Sequence, residues 1–204
     1  HPRPPPTQPQ SAQGSEALAP PGSRGLPPDV RHLASSGAAL TRPDSHYDLV
    51  RPGLAVYGLS PLGTGENYGL IPAMTVRARV AHVKRVPPDT GVSYGHRYRT
   101  ASETSLALVP MGYADGIPRA GANRGPVRIA GATRTVTGTV CMDQFVVDCG
   151  DDEVSVGDEV VIFGRAERGE PTVDDWAKAI DTINYEIVTR VGARVPRTYV
   201  GESE

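Results

Sequence analysis

The sequence predicts a mainly β protein that ends in two helices. Apolar residues recur with the period of β-strands in the middle of the chain and with the period of helices near its end. Between Met74 and Val86, apolar and polar residues alternate with the period of two that is typical of a half-buried strand. Further apolar segments, separated by turn-forming glycines, predict more strands. They lie at residues 104–109, 127–129, 133–140, 145–148 and 159–163. Such short antiparallel strands favour a barrel-like sheet or a sandwich.

Two helices are predicted near the C-terminus. Thr172 is followed three positions later by an acidic residue, which is the spacing of a capping box at the start of a helix. Ile183, Ile187 and Val191 recur at helical spacing and predict the apolar face of a second helix. Residues 195–200 are expected to be extended.

The N-terminal third differs from the rest of the chain in its amino-acid composition. Residues 1–29 consist largely of Pro, Gln, Ser, Gly and Ala, and such a segment is expected to be disordered or polyproline-like. Residues 32–40 are small and compatible with a helix. The apolar stretch 48–58 has glycines near both ends, which favours a buried strand.

Composition excludes several function classes. The formal net charge of the 204 residues is -2, and the arginines are scattered, so neither nucleic acid nor a membrane surface is an expected partner. No apolar run reaches the roughly 20 residues that cross a bilayer. Cys141 and Cys149 have no metal-site spacing, so no metal is expected, and they suit a reducing compartment. We read no signal peptide, which makes the cytoplasm the expected location.

Spacing alone indicates little chemistry. No Ser-His-Asp order, carboxylate pair or phosphate loop stands out. Tyr94 lies between two small residues, Ser93 and Gly95, and is sterically free to project. Lys84 and Lys178 are the two lysines of the chain.

Five sequence blocks nevertheless resemble motifs of the alanine racemase family, in the family's order. They are YDLVRPGLAVYGLSP (47–61), GVSYG (91–95), PMGYADG (110–116), GTVCMDQ (138–144), and TINYE (182–186) with RVPR (194–197). The resemblance covers roughly residues 31–202. It implies a TIM-type α/β barrel that carries pyridoxal 5'-phosphate, followed by a C-terminal β-barrel-like domain. Residues 30–62 would then be the last β/α piece of the barrel, and residues 63–204 the β domain.

The resemblance implies an isomerase that interconverts L-alanine and D-alanine and supplies D-alanine for cell-wall peptidoglycan. It also implies a head-to-tail homodimer in which each β domain completes the partner's site. Two alternatives stay open: a serine or broad-spectrum racemase of the same family, and a non-catalytic β domain that docks on a partner barrel.

Tyr94 matches the family's catalytic tyrosine, which handles the α-proton on the face opposite the Schiff-base lysine. A phenol is protonated at neutral pH, so it needs nearby positive charge to act as a base. Arg51 matches the arginine at the pyridine nitrogen of the cofactor. Since arginine only donates hydrogen bonds, that nitrogen stays unprotonated, which favours racemisation over transamination.

The remaining implied roles concern phosphate and substrate. The phosphate-binding groups would be the Ser36 hydroxyl, the amides of Gly53 and Leu54, and Tyr185. The Met142 amide would hold the substrate carboxylate, and Tyr113 would narrow the entrance. For Asp115, Asp143 and Arg119, structural pairing or rim roles are expected.

Two departures from the family pattern accompany the resemblance. The family's Schiff-base lysine lies in a V-K-A-x-A-Y-G-H-G setting that this sequence does not contain, and neither Lys84 nor Lys178 matches it. Ser35 stands where the family usually has asparagine. We therefore expect a C-terminal portion of the racemase that is inactive by itself.

Overall fold

The computed structural model describes residues 30–62 and 67–201, and the chain divides after Ala73 into two compact units. The prediction of disorder for residues 1–29 lies outside the described residues. No helix in the described ranges is long and apolar enough to cross a bilayer.

The described residues of the first unit contain one α-helix, α1 (Ser36–Thr41), and two 3-10 helices (Pro43–Ser45 and Leu54–Tyr57). The buried strand predicted for residues 48–58 is wrong in its extent. Only an isolated parallel bridge forms there, between Ser35 and Arg51. Pro52 has no N–H to extend such a ladder, and the chain turns at once into the second 3-10 helix.

The second unit, as far as residue 201, contains nine strands, two α-helices and three 3-10 helices (Tyr94–His96, Arg119–Gly121 and Ala166–Arg168). The strands are β1 (Val76–Arg79), β2 (His82–Val86), β3 (Gly91–Val92), β4 (Tyr98–Arg99), β5 (Thr104–Val109), β6 (Pro126–Ile129), β7 (Ala132–Thr137), β8 (Phe145–Asp148) and β9 (Glu159–Phe163). Seven of them form one antiparallel sheet in the order β1-β9-β6-β7-β8-β5-β2, while β3 and β4 form a separate hairpin. The predicted mainly β fold is confirmed.

The two edges of this sheet are successive parts of one bent chain segment. The strand predicted from Met74 to Val86 changes partner at its middle, where the Val80 amide donates to Asp158 O (2.9 Å) and the Ala81 amide to Leu108 O (2.9 Å). Before the bend the chain pairs with β9, and after it with β5. The sheet therefore curls back on itself, as a barrel-like domain requires.

The core of the second unit includes buried valines from four neighbouring strands. Val160, Val127, Val136 and Val147 come from β9, β6, β7 and β8 in turn, and all four are fully buried. Burial of one such side chain contributes about 1.5–3 kcal/mol, so this valine layer is a main source of stability.

Two helices follow the sheet. The first, α2 (Val173–Ala179), begins with the predicted capping box between Thr172 and Asp175. The second, α3 (Asn184–Thr189), is shorter than the helix predicted from residue 182 to residue 191. Because it begins only at Asn184, Ile183 precedes it and is 65% exposed, so the predicted apolar face is wrong at that residue. Residues 195–200 form no strand.

Trp176 of α2 fixes this helix on the sheet. Its indole Nε1 donates to Ile162 O of β9 (2.7 Å), and its ring is 1% exposed. A Cβ placed on Gly125 would lie 2.3 Å from the ring atom Cη2 and 2.5 Å from Cζ3. The ring is rigid, so position 125 has no room for any side chain.

We predict that Gly125→Ala lowers the free energy of unfolding by about 1–3 kcal/mol, because the added methyl group overpacks this contact. Chemical denaturation of the chain measures the change. Gly201→Ala, where a Cβ meets no atom within 4 Å, is the matched control. An equal effect of the two substitutions would contradict the packing argument.

Candidate active site

Three loops of the second unit meet at one cavity of about 410 Å³. They are the turn between β3 and β4, the loop that follows β5, and the loop between β7 and β8. The lining residues are Tyr94, Tyr113, Arg119, Thr139, Val140, Cys141, Met142, Asp143 and Gln144. The cavity thus brings together the candidate catalytic tyrosine and both candidate substrate-binding residues.

Two of the loops approach closely because Gly112 has no side chain. A Cβ at position 112 would lie 2.3 Å from Met142 O and 2.4 Å from Cys141 O. In this approach the Tyr113 amide donates to Cys141 O (3.0 Å) and the Ala114 amide to Met142 O (3.0 Å). The two loops that carry Tyr113 and Met142 therefore hold each other through the backbone.

The aromatic side chains of the cavity are exposed. Tyr94 is 75% exposed and Tyr113 is 42% exposed, while the Met142 side chain is 53% exposed. The Arg119 guanidinium carbon lies 5.9 Å from the centre of the Tyr113 ring, within the range of a cation–π contact. Arg119 thus supports the ring from the rim of the cavity.

Arg194, in the segment after α3, connects both loops. Its Nε lies 3.2 Å from Asp115 Oδ1, and its Nη2 donates to Asp143 Oδ1 (2.7 Å). The hydrogen bond to Asp143 and the charge of Asp115 raise the pKa of the Arg194 guanidinium above its usual value. Asp115 is 8% exposed and also accepts from the Gly112 amide (2.8 Å). Asp115 and Asp143 therefore make structural contacts, both with Arg194 and, for Asp115, also with the Gly112 amide.

The first unit brings together three of the four predicted phosphate-binding residues, Ser36, Gly53 and Leu54. Ser36 Oγ accepts from the amides of Gly53 (2.9 Å) and Ala55 (3.2 Å), and the Leu54 amide lies between these two along the chain. Ser36 is 6% exposed, so its hydroxyl position is held by its surroundings. A hydroxyl that accepts two bonds still has its own proton to donate.

Arg51 lies two residues before Gly53 in the chain. Its backbone amide donates to Ala34 O (2.8 Å), and its Nη2 lies 3.5 Å from Leu33 O. The side chain is exposed and forms no ion pair with a described residue. Since no described carboxylate pairs with it, the Arg51 guanidinium can donate to a ligand.

Tyr185 belongs to the second unit. It is half-buried on α3, and its carbonyl accepts from the Thr189 hydroxyl (2.8 Å). Its phosphate-binding role stays a prediction. Within residues 30–62 and 67–201 no group of three or more His, Cys, Asp or Glu side chains could hold a metal ion.

Sequence reasoning did not find the contacts by which Thr139 and Arg194 hold the loops of this cavity. Thr139 contacts the Tyr94 loop across 45 residues, and Arg194 contacts Asp143 across 51 residues. Both residues lie inside recognised motifs, and that position was the only signal available. Which partner each would reach depends on the folded sheet.

Comparison with known proteins agrees with this architecture. The model of the alanine racemase C-terminal domain matches residues 73–199, and that of the N-terminal domain matches residues 2–61. The alanine racemase of Salinispora arenicola is 64% identical over 179 residues, which are 87% of this chain and 48% of that protein.

Solved structures give the same result. An alanine racemase from D-cycloserine-producing Streptomyces lavendulae superposes with a TM-score of 0.83 at 62% identity, over 88% of this chain and 48% of that one. For alanine racemase from Streptomyces coelicolor A3(2) the TM-score is 0.82 at 55% identity, over 94% and 49%. The matched proteins are all racemases, and both domain models of that class match this chain. The chain belongs to the alanine racemase family, and it spans about half the length of the relatives it matches.

We predict that Arg194→Gln loosens the loops 112–116 and 141–144, because the two carboxylates lose their shared cation. Hydrogen–deuterium exchange should become several-fold faster at the amides of both loops. Arg77→Gln removes a comparable exposed ion pair, that with Glu159 on β9, and is the control. Unchanged exchange in Arg194→Gln would contradict the cross-linking role.

Proposed function

We propose that this chain contributes to an alanine racemase that uses pyridoxal 5'-phosphate to interconvert L-alanine and D-alanine. The observation that carries the proposal is the convergence of Tyr94, Tyr113 and Met142 on one cavity, in a chain of this family. Three residues chosen by motif alone, from three separate loops, face the same space.

The donor set of the first unit supports binding of the cofactor's phosphate. Ser36 retains its hydroxyl proton and Leu54 would offer its backbone amide, and hydroxyls and amides are groups that bind phosphate oxygens in proteins. The Gly53 amide donates to Ser36 Oγ and would exchange that partner for a phosphate oxygen. Arg51 would donate to the ring nitrogen and keep it unprotonated, since a guanidinium does not accept hydrogen bonds. The bound cofactor would supply an electron-withdrawing ring that acidifies the substrate's α-proton.

Tyr94 is proposed as the acid–base group for one face of the substrate. Its ring is exposed and free of covering side chains, so the phenol can approach a substrate carbon. Racemisation requires proton transfer on two opposite faces, and the second group would be the family's lysine. Lys84 lies on β2 and Lys178 on α2, and both are exposed. The proposed reaction therefore requires a lysine that lies outside these 204 residues.

The substrate is proposed to have a small side chain. Tyr113, held by Arg119, and Met142 narrow the cavity next to Tyr94. The Met142 amide is proposed to bind the substrate carboxylate, and Tyr185 is proposed as a phosphate-binding residue. A comparison of kcat/KM for alanine and serine separates an alanine racemase from a broad-spectrum enzyme.

The oligomeric state, the cellular location and the biological role are also proposals. We propose a homodimer in the cytoplasm that supplies D-alanine for peptidoglycan. The exposed apolar side chains around the cavity, Tyr94, Tyr113 and Met142, support a site that a second chain completes.

We predict that the chain alone has no racemase activity, and that co-production with a polypeptide carrying the N-terminal half of a relative restores it. In the restored pair, Tyr94→Phe should lower L-to-D turnover by about 100-fold or more, the usual contribution of a general acid–base group. Exchange of the α-proton with deuterated solvent should continue from one enantiomer, because the other face retains its base.

Tyr199→Phe, which changes a 90% exposed tyrosine outside the cavity, is the control for that prediction. Unchanged L-to-D turnover in Tyr94→Phe would show that Tyr94 is not the acid–base group. Borohydride trapping of the cofactor on Lys84 or Lys178 of the isolated chain would contradict the need for an external lysine.

We predict that Ser36→Ala weakens pyridoxal phosphate binding to the restored pair about tenfold or more, since a hydrogen bond to a charged group contributes about 1.5–3 kcal/mol. Equilibrium titration of the apoprotein measures this. Ser45→Ala is the matched control, because Ser45 is equally buried (4% exposed) but donates to Arg42 O (2.7 Å). Equal affinities in the two variants would remove Ser36 from the phosphate site.

A further inference from the structure

The loop that carries Tyr94 has a backbone conformation that side chains disfavour. Ser93 has φ 60° and ψ -172°, a region that is populated almost only by glycine. Gly95 (φ 73°) and His96 (φ 46°) are also at positive φ. A non-glycine residue persists in such a conformation only where surrounding contacts hold it.

A reciprocal pair of hydrogen bonds provides those contacts. The Ser93 hydroxyl donates to Thr139 O (2.7 Å), and the Thr139 hydroxyl donates to Tyr94 O (2.9 Å). Thr139 is 7% exposed, so these bonds are shielded from water. Each residue therefore uses its side chain to hold the backbone of the other loop.

The same two loops are in direct contact beside this pair. A Cβ on Gly138 would lie 2.8 Å from Val92 O, so the backbones approach as closely as a glycine allows. Asn123 adds a second connection, since its Oδ1 accepts from the Gly138 amide (2.6 Å) and its Nδ2 donates to Arg97 O (3.3 Å). The Tyr94 loop is thus bound to residues 138–139 at both of its ends.

We propose that Ser93 and Thr139 form a clamp that positions the Tyr94 phenol for proton transfer. The Tyr94 side chain is 75% exposed, so little packing orients it and the backbone decides where its ring lies. Thr139 also belongs to the loop of Met142, so the clamp couples the proposed acid–base group to the proposed carboxylate-binding amide. The clamp rests on the proposed function of Tyr94.

Thr139→Val and Ser93→Ala test the clamp in the isolated chain, without cofactor. Valine has the shape of threonine but no hydroxyl. Within residues 94–97 the His96 amide donates to Ser93 O (3.4 Å), and its hydrogen–deuterium exchange should become several-fold faster in both variants, because loss of the clamp bonds frees the strained backbone that makes this bond. Thr137→Val removes another buried hydroxyl of the same segment, one that accepts from the Asp148 amide (2.9 Å), and should leave residues 94–97 unchanged.

A double-mutant cycle, measured as kcat in the restored pair of polypeptides, tests whether the clamp positions Tyr94. Thr139→Val should lower kcat with little change in KM, and should have no further effect in a Tyr94→Phe background. Unchanged exchange at residues 94–97 would overturn the clamp, and additive kcat effects would overturn its positioning role. If Tyr94→Phe itself left turnover unchanged, the proposed role of Tyr94 would fail, whereas the exchange result would still decide whether the clamp exists.

Discussion

The register between β5 and β8 is the constraint on which the candidate site depends. Val109 at the end of β5 pairs with Phe145 at the start of β8. This antiparallel pairing places the loop after β5 and the loop before β8 at the same end of the two strands. Since a slip of one residue would turn every side chain to the opposite face, the fully buried Phe145 and Val147 strongly specify the register.

Loop contacts then convert this neighbourhood into a shaped cavity. The missing side chain of Gly112 permits backbone bonding to residues 141–142, and Arg194 joins the carboxylates of Asp115 and Asp143. The Tyr94 loop joins the same assembly through Ser93 and Thr139. The chemistry-bearing side chains remain exposed while the backbone beneath them is tightly bonded, which is the arrangement expected of a preorganised site.

Local patterns predicted much of the secondary structure. Segments 104–109, 145–148 and 159–163 are strands at the predicted bounds, and the capping box of α2 is present. The prediction failed for the strand at residues 48–58, where Pro52 and a 3-10 helix end the pairing. Burial alternates as predicted along residues 74–80, but β2 (His82–Val86) does not continue the alternation, and the sequence contained no signal of the partner change at Val80.

The sequence by itself determined the family, the strand-rich fold class and the identity of Tyr94, Tyr113 and Met142 as candidate site residues, because motifs and periodicity are local properties. Only the tertiary structure decided that these three residues share one cavity and that Ser93, Thr139 and Arg194 hold their loops. Those contacts join residues about 45 to 80 positions apart, and their geometry follows from sheet register and close backbone approach. Neither property can be read from the residues on one side of a contact.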